Sequence, residues 1–94
     1  GMKFVIIGYD SPQGEAKRKI HRAAHLANLE PLDRQGRIIL AGPLTDTTGS
    51  LLVLEFETQE EAENFAHHDP YTVYGVFERV EIHPFLQVFP KSPS

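Results

Sequence analysis

The sequence predicts a single α+β domain, a ferredoxin-like split βαβ sandwich with the element order βαββαβ. Two observations lead to this fold class. Short β-branched and aromatic runs, bounded by Gly, Pro and Asp, alternate in that order with two segments of helical periodicity. The length of 94 residues fits one small domain, which we place at residues 2–89. Residues 90–94 are expected to form a flexible tail.

The composition excludes several classes of protein. With 40% hydrophobic and 23% charged residues, the chain is too apolar to be disordered. Its formal net charge is −4 and its basic residues are scattered, which argues against nucleic acid as a partner. The longest apolar runs have four residues, far fewer than the ~20 of a membrane span. The absence of cysteine excludes thiolate sites, and since no signal peptide is recognised we expect a cytoplasmic protein.

The first strand and the first helix are predicted from their residue patterns. Residues 3–9 form a β-branched and aromatic run with two apolar faces. From about residue 14 to residue 29, spacings of three and four predict a helix whose buried stripe is Ala16, Ile20, Ala23, Ala24 and Ala27. Pro31 has no backbone N–H, so the helix is expected to stop or kink there.

The middle of the chain predicts two strands joined by a loop. Residues 37–41 form the second strand, and Gly42, Pro43 and residues 44–49 form the loop. Residues 51–57 form the third strand. Because side chains alternate along a strand, one of its faces carries Leu52, Leu54 and Phe56.

The last third of the chain predicts a capped helix and a final strand. Thr58 and Glu61 have the spacing of a capping box, which begins a helix that Pro70 stops. A loop or short turn at residues 71–75 leads to a strand at about residues 76–82. Residues 85–89 alternate apolar and polar side chains well enough to add a further strand segment.

The apolar residues also predict a homodimer. Two helices cover one face of the sheet, and the other face carries Val5, Ile7 and Val53. An apolar sheet face of this kind needs a cover. We therefore expect two copies to pack sheet to sheet.

His25 and Asp69 are the first candidates for chemistry. His25 lies beside the predicted stripe of the first helix, and imidazole suits proton transfer near neutral pH. Asp69 follows the second helix, where a carboxylate opposes the helix dipole. Antiparallel neighbouring helices would let the two residues meet. The structural alternatives are a half-buried histidine bonded to a carbonyl and an Asx turn at Asp69–Pro70.

A metal site is a weaker alternative. His21 and His25 are four residues apart, which places two imidazoles on one helix face, and His67 or His68 would be a third ligand. No carboxylate with ligand spacing accompanies the pair, and the helix is rich in Lys and Arg. We therefore expect no metal.

The remaining candidates are residues that can line a cleft. Gly42–Pro43 and Ser50 flank the predicted loop, and Ser50 lacks the GxSxG context of a nucleophile. Tyr71 and Tyr74 either wall a pocket or pack on the sheet. Arg22 lies near a substrate anion or is a solvated surface residue.

The chain as a whole resembles the YciI-like (YCII-related) family over about residues 2–89. The most specific features are His25–Leu26, Ala41–Gly42–Pro43 and Asp69–Pro70–Tyr71, in this order. The other matching features are Met2–Ile7, Arg22–Ala24, Leu29, Gly36–Arg37, Gly49–Ser50, Glu55–Glu57, Glu61–Ala62, Gly75–Val76 and Pro84–Phe85.

The resemblance implies a ferredoxin-like subunit of a dimeric α/β barrel, with His25 and Asp69 as an acid/base pair and Ser50 and Gly42–Pro43 near the same cleft. Relatives in the family include enzymes that eliminate chloride from chlorinated hydroxyhydroquinones, and the wider barrel group includes muconolactone isomerases. The loop at residues 44–49 is shorter than in many relatives, and Pro31 interrupts the first helix.

Two hypotheses about function follow. The first is a cofactor-independent lyase or isomerase that acts on a cyclic, hydroxylated substrate, with His25 moving the proton and Asp69 orienting the imidazole. The second is a non-catalytic domain whose cleft binds a small molecule. Ser50, Gly42, Pro43, Tyr71 and Arg22 are the expected binding residues in either case.

Overall fold

The chain forms an antiparallel sheet covered on one face by helices. The computed structural model describes residues 1–91, so residues 92–94 of the predicted tail lie outside the described part. The elements are β1 (Met2–Asp10), α1 (Gly14–Arg34), β2 (Ile38–Pro43), β3 (Gly49–Phe56), α2 (Gln59–His68), α3 (Pro70–Val73) and β4 (Phe77–Phe85). The strand order β2-β3-β1-β4 confirms the predicted α+β, ferredoxin-like fold, the subunit fold of dimeric α/β barrels.

The core lies between the sheet and the helices. Alternate residues of the two central strands point into it, and its members are Phe4, Ile6, Leu29, Leu32, Leu52, Leu54, Phe56, Ala62 and Ala66. The residues between them, such as Val5 and Ile7, face the other side of the sheet and are half-buried. No helix within residues 1–91 is long and apolar enough to cross a membrane.

The predicted buried stripe of α1 is wrong. Its buried residues are Gly14, His25, Leu29 and Leu32, whereas Ile20 is 74% exposed. The alanines of the predicted stripe, Ala16, Ala23, Ala24 and Ala27, are exposed as well. Apolar periodicity selected the opposite face because the side of α1 that meets the sheet and α3 carries arginine and histidine among its apolar residues.

α1 also continues through Pro31 instead of ending there. The proline lies in the last turn, where its missing N–H removes one helical hydrogen bond. Leu29 and Leu32 on either side are buried and hold this turn against the core. The helix ends three residues later at Arg34. Gly36 follows with a φ of 70°, which permits the bonds Gly36 N to Asp33 O (3.0 Å) and Arg37 N to Leu32 O (2.9 Å).

The two edge strands differ from the prediction at prolines. β2 includes Gly42 and Pro43, and β4 continues through Pro84 to Phe85. An edge strand tolerates proline because one side of its backbone has no partner strand. The further strand predicted at residues 85–89 is wrong, since residues 86–89 belong to no strand and Leu86 is 84% exposed. Nothing within residues 1–91 pairs with that segment.

The start of α2 follows the predicted capping pattern in part. Thr58 Oγ1 accepts from the Glu61 backbone N at 3.1 Å, as expected for an N-cap. The Glu61 carboxylate accepts from the Glu57 N–H at 3.3 Å rather than from that of Thr58. The helix ends at His68, and after Asp69 the chain begins the short helix α3, which places Asp69 between two helices.

Candidate functional site

A small cleft lies between α1, the adjacent edge of the sheet and α3. Its volume is about 70 Å³. The six residues that the sequence predicted beside Asp69 all line it: Arg22, His25, Gly42, Pro43, Ser50 and Tyr71. They come from four elements, so the long-range contacts of the fold create the cleft.

His25 and Asp69 form a hydrogen-bonded pair at the side of this cleft. Their Nδ1 and Oδ1 atoms are 2.8 Å apart, and their side chains are 9% and 5% exposed. The same Asp69 oxygen accepts from the backbone N of Tyr71 at 2.8 Å. Asp69 therefore caps α3, as the structural alternative expected, and contacts His25 as well.

The Asp69 contact determines the tautomer of His25. An ionised carboxylate only accepts hydrogen bonds, so Nδ1 of His25 carries the hydrogen. In the neutral imidazole Nε2 is then the proton acceptor. Within residues 1–91, Nε2 neither has a hydrogen-bond partner nor is sealed from solvent. The arrangement leaves His25 one nitrogen that can take a proton from a molecule in the cleft.

Aromatic rings hold His25 in place. Its ring stacks on Tyr71 with centroids 3.9 Å apart and planes 3° from parallel. Tyr71 meets Phe77 edge to face, with ring centroids 5.6 Å apart. Burial raises the pKa of the Tyr71 phenol, and the positive charge of Arg18 opposes this rise. The Phe77 ring in turn lies directly over Gly8, where a Cβ would stand 2.5 Å from ring carbons. Because Gly8 has no side chain, β1 leaves room for the Phe77 ring that packs against Tyr71 beneath His25.

A second stack stands one helical turn earlier. His21 lies on Tyr74 with centroids 4.1 Å apart and planes 2° from parallel. Tyr74 is 53% exposed, and neither ring lines the cleft. His21 makes no ion pair within residues 1–91.

Sequence reasoning missed Arg18. Its guanidinium donates to both carboxylate oxygens of Asp10, at 2.7 and 2.8 Å, and Nη2 also donates to Ser50 Oγ at 2.9 Å. The hydrogen bonds to Asp10 raise the pKa of Arg18, although burial opposes them. Asp10 ends β1 and Arg18 lies in the following helix, eight residues later. The charges were visible in the sequence, but nothing indicated that α1 turns this residue toward the sheet.

The other predicted residues have simpler surroundings. Gly42 and Pro43 form the β2 wall of the cleft, and Ser50 faces them from β3 through the Pro43–Ser50 register. Arg22 is exposed and makes no ion pair in the described part of the chain.

The histidines do not assemble into a metal site. Among residues 1–91 no group of three His, Asp or Glu side chains has an arrangement that could hold a metal ion. His21 and His25 are each stacked on a tyrosine, and His68 Nδ1 lies 2.7 Å from the Asn64 carbonyl oxygen. His67 is exposed in the last turn of α2.

The chain is thus a small α+β protein with a hydrogen-bonded histidine and aspartate beside a cleft at the edge of its sheet. The chain belongs to the family of the YCII-related domain, which matches residues 2–86. The resemblance drawn from the sequence is thereby confirmed.

Proteins from several bacteria match nearly the whole chain. Protein YciI of Escherichia coli O6:H1 is 39% identical over 98 aligned positions, which cover 94% of this chain and 100% of the relative. An uncharacterized protein of Haemophilus influenzae is 36% identical with the same coverage.

A solved structure matches the fold closely. It is 5-chloro-2-hydroxyhydroquinone dehydrochlorinase (TftG) from Burkholderia phenoliruptrix AC1100, in complex with 2,5-dihydroxybenzoquinone. The TM-score is 0.81 and the identity is 34%, with 90% of this chain and 94% of that chain covered.

Proposed function

We propose that this protein is a lyase or isomerase that moves a proton on a cyclic, hydroxylated substrate, with His25 as the acid/base and Asp69 as its partner. One observation carries the proposal. The Asp69 carboxylate is hydrogen-bonded to Nδ1 of His25 at 2.8 Å, and His25 also lines the cleft. A histidine with this partner is a suitable base, because the carboxylate stabilises the imidazolium that forms.

The proposed chemistry uses the two nitrogens differently. Nε2 of His25 takes a proton from a hydroxyl or a ring carbon of the substrate, and Nδ1 keeps its hydrogen bond to Asp69. In an elimination, an anion such as chloride leaves, so that the substrate loses one equivalent of HX. In an isomerisation, the imidazolium returns its proton to another atom of the substrate. After the elimination the imidazolium releases its proton to solvent, and after the isomerisation it has already returned it to the substrate, so both reactions leave the imidazole neutral at the end.

The structural neighbour supports the choice of substrate. Its name gives elimination of chloride from a hydroxylated aromatic ring, and the compound in its complex is a dihydroxylated quinone. The residues that line the cleft of the present chain include Tyr71 and two arginines, Arg18 and Arg22. A ring with acidic hydroxyl groups matches the positive charge of these arginines.

The test is a chloride-release assay with 5-chloro-2-hydroxyhydroquinone under exclusion of oxygen. The His25→Asn variant is expected to lose about 10²-fold or more of the wild-type rate, the usual contribution of a general base. The matched control is His21→Asn, which changes the same residue type in the other stack and is expected to keep the rate. Turnover that survives His25→Asn would sink the proposal.

A wild type that releases no chloride from hydroxylated rings, but binds them, would favour the alternative of a non-catalytic ligand-binding domain. The same comparison of His25→Asn with His21→Asn in a binding assay would then show which residues form that binding site.

We also propose a homodimer formed through the outer face of the sheet. That face carries Val5, Ile7 and Val53, and Leu40 on the edge strand is 51% exposed. Sedimentation equilibrium is expected to give twice the chain mass, and Ile7→Lys is expected to give the monomer. A wild type that sediments at the chain mass at micromolar concentration would contradict the dimer. The cytoplasmic location stays a prediction.

A further inference from the structure

Ser50 has a hydroxyl proton that no group within residues 1–91 accepts. Its Oγ receives a hydrogen bond from Arg18 Nη2 at 2.9 Å. A guanidinium donates and never accepts, so the direction of this bond is fixed and the Ser50 hydrogen has to point elsewhere. Ser50 is only 3% exposed, and it lines the cleft. Its hydrogen is therefore available to an oxygen of a bound molecule.

Arg18 is held rigidly while it makes this bond. Two parallel hydrogen bonds fix its guanidinium to Asp10, whose side chain is 9% exposed. The guanidinium carbon also lies 5.1 Å from the centroid of the Tyr71 ring and 5.8 Å from that of Phe77. A hydroxyl that accepts from a cation becomes a stronger donor, because each bond in a chain polarises the next.

We infer that Ser50 donates its hydroxyl hydrogen to an ionised oxygen of the ligand, and that Arg18, clamped by Asp10, is the positioning residue that aims this hydroxyl. The inference rests on the proposed function and narrows its substrate class to planar rings that carry an oxyanion. The surroundings favour an anion, since Arg22 lines the same cleft and Asp10 is already paired. A hydrogen bond to a charged acceptor is also stronger than one to a neutral acceptor.

The first experiment compares the binding of two probes at neutral pH. In 2,5-dihydroxybenzoquinone the hydroxyl groups are acidic and ionise, whereas 2,5-dimethoxybenzoquinone has the same ring and no ionisable proton. The wild type is expected to prefer the first probe. Ser50→Ala is expected to reduce the ratio of the two affinities about tenfold or more, the value of one hydrogen bond to a charged group.

A matched serine serves as the control. Ser11 Oγ donates to the Gly75 carbonyl at 2.8 Å, so its hydrogen already has an acceptor, and it does not line the cleft. Ser11→Ala is expected to leave the ratio of affinities unchanged. Equal affinities of the wild type for the two probes, including no binding of either, would overturn the inference, as would an unchanged ratio in Ser50→Ala.

A double-mutant cycle tests the positioning role of Arg18. Arg18→Lys keeps a positive charge beside Asp10 but lacks the planar fork that also reaches Ser50. It is expected to lower the ratio of affinities, and Arg18→Lys with Ser50→Ala is expected to be no lower than Ser50→Ala alone. Losses that add would mean that Arg18 contacts the anion itself, which overturns the positioning role. If Ser50→Ala does not fold, Arg18→Lys alone decides, and an unchanged ratio rejects the inference.

These measurements read equilibrium binding and not turnover. A failed chloride-release assay would remove the proposed elimination and leave the oxyanion site standing. Conversely, normal chloride release with no probe preference would remove the oxyanion site and leave the role of His25 standing.

Discussion

The two histidine–tyrosine stacks between α1 and residues 71–74 are nearly the same in geometry and differ in what surrounds them. His25 on Tyr71 and His21 on Tyr74 have ring centroids 3.9 and 4.1 Å apart, with planes parallel to within 3° and 2°. Only His25 has a carboxylate at hydrogen-bonding distance and lines the cleft. The comparison teaches that neither the histidine nor the stack marks the site. The carboxylate and the adjacent cavity distinguish it.

The largest difference between the stacks is expected in stability. Tyr71→Ala should lower the free energy of unfolding by about 3 kcal/mol, because Tyr71 is 2% exposed and packs on two rings. Tyr74→Ala should lower it by less than about 1 kcal/mol, since Tyr74 is 53% exposed. Urea unfolding of the two variants measures both values. Equal losses would remove the distinction between a buried and a peripheral stack.

Asp69 should show the next largest effect. Asp69→Ala leaves two buried donors, the Tyr71 N–H and Nδ1 of His25, without an acceptor, and should cost about 2 kcal/mol. Asp69→Asn keeps an acceptor oxygen and should cost about 1 kcal/mol or less. Equilibrium unfolding of the two variants separates the contribution of the acceptor oxygen to stability from that of the negative charge. If Asp69→Ala were as stable as wild type, the pair would have no structural part in the site.

The burial of the inner stack should also make stability depend on pH through Tyr71. Burial raises the pKa of the Tyr71 phenol above its ordinary value of 10.0, while the Arg18 charge opposes the rise. The unfolded chain then ionises first, so the contribution of the neutral phenol is complete below pH 10.0 and is lost as pH rises through the folded-state pKa. Unfolding free energies between about pH 8 and pH 11 should fall more for wild type than for Tyr71→Phe. Parallel curves would contradict the raised pKa.

The smallest effect is expected at the outer stack. His21→Ala removes one stacking contact, with the exposed ring of Tyr74, and should lower the unfolding free energy by about 0.5 kcal/mol. Thermal unfolding of the variant and the wild type measures this loss as a shift of the unfolding midpoint by a few degrees at most. A loss as large as that of Tyr71→Ala would mean that the outer stack supports the fold as much as the inner one.

Local patterns predicted the order of elements, because strand runs, prolines and the Thr58 cap act over a few residues. They failed at α1, where counting alanines as core residues selected the solvent face. A helix with small apolar residues on one side and Arg18, His25 and Leu29 on the other has two plausible buried faces. Only packing against the sheet decides between them.

The candidate site was predictable where the family resemblance supplied residues, and less so where the contacts are long-range. His25 and Asp69 are 44 residues apart, yet the order of the two helices suggested that they meet. Arg18 and Ser50 are 32 residues apart, and their contact depends on the rotation of α1 about its axis. That rotation follows from which face is buried, which is the feature that periodicity misjudged.

The contact of the Phe77 ring with Gly8 has a consequence for the order in which the candidate site forms during synthesis. Phe77 begins β4, the last strand in sequence, and it reaches Tyr71 only when β4 pairs with β1, the first. A nascent chain that ends at Asp69 therefore has both proposed acid/base residues, but it has neither Tyr71 nor the Phe77 ring that packs against Tyr71. The stack beneath His25 is therefore completed only after β4 has been made and has paired with β1.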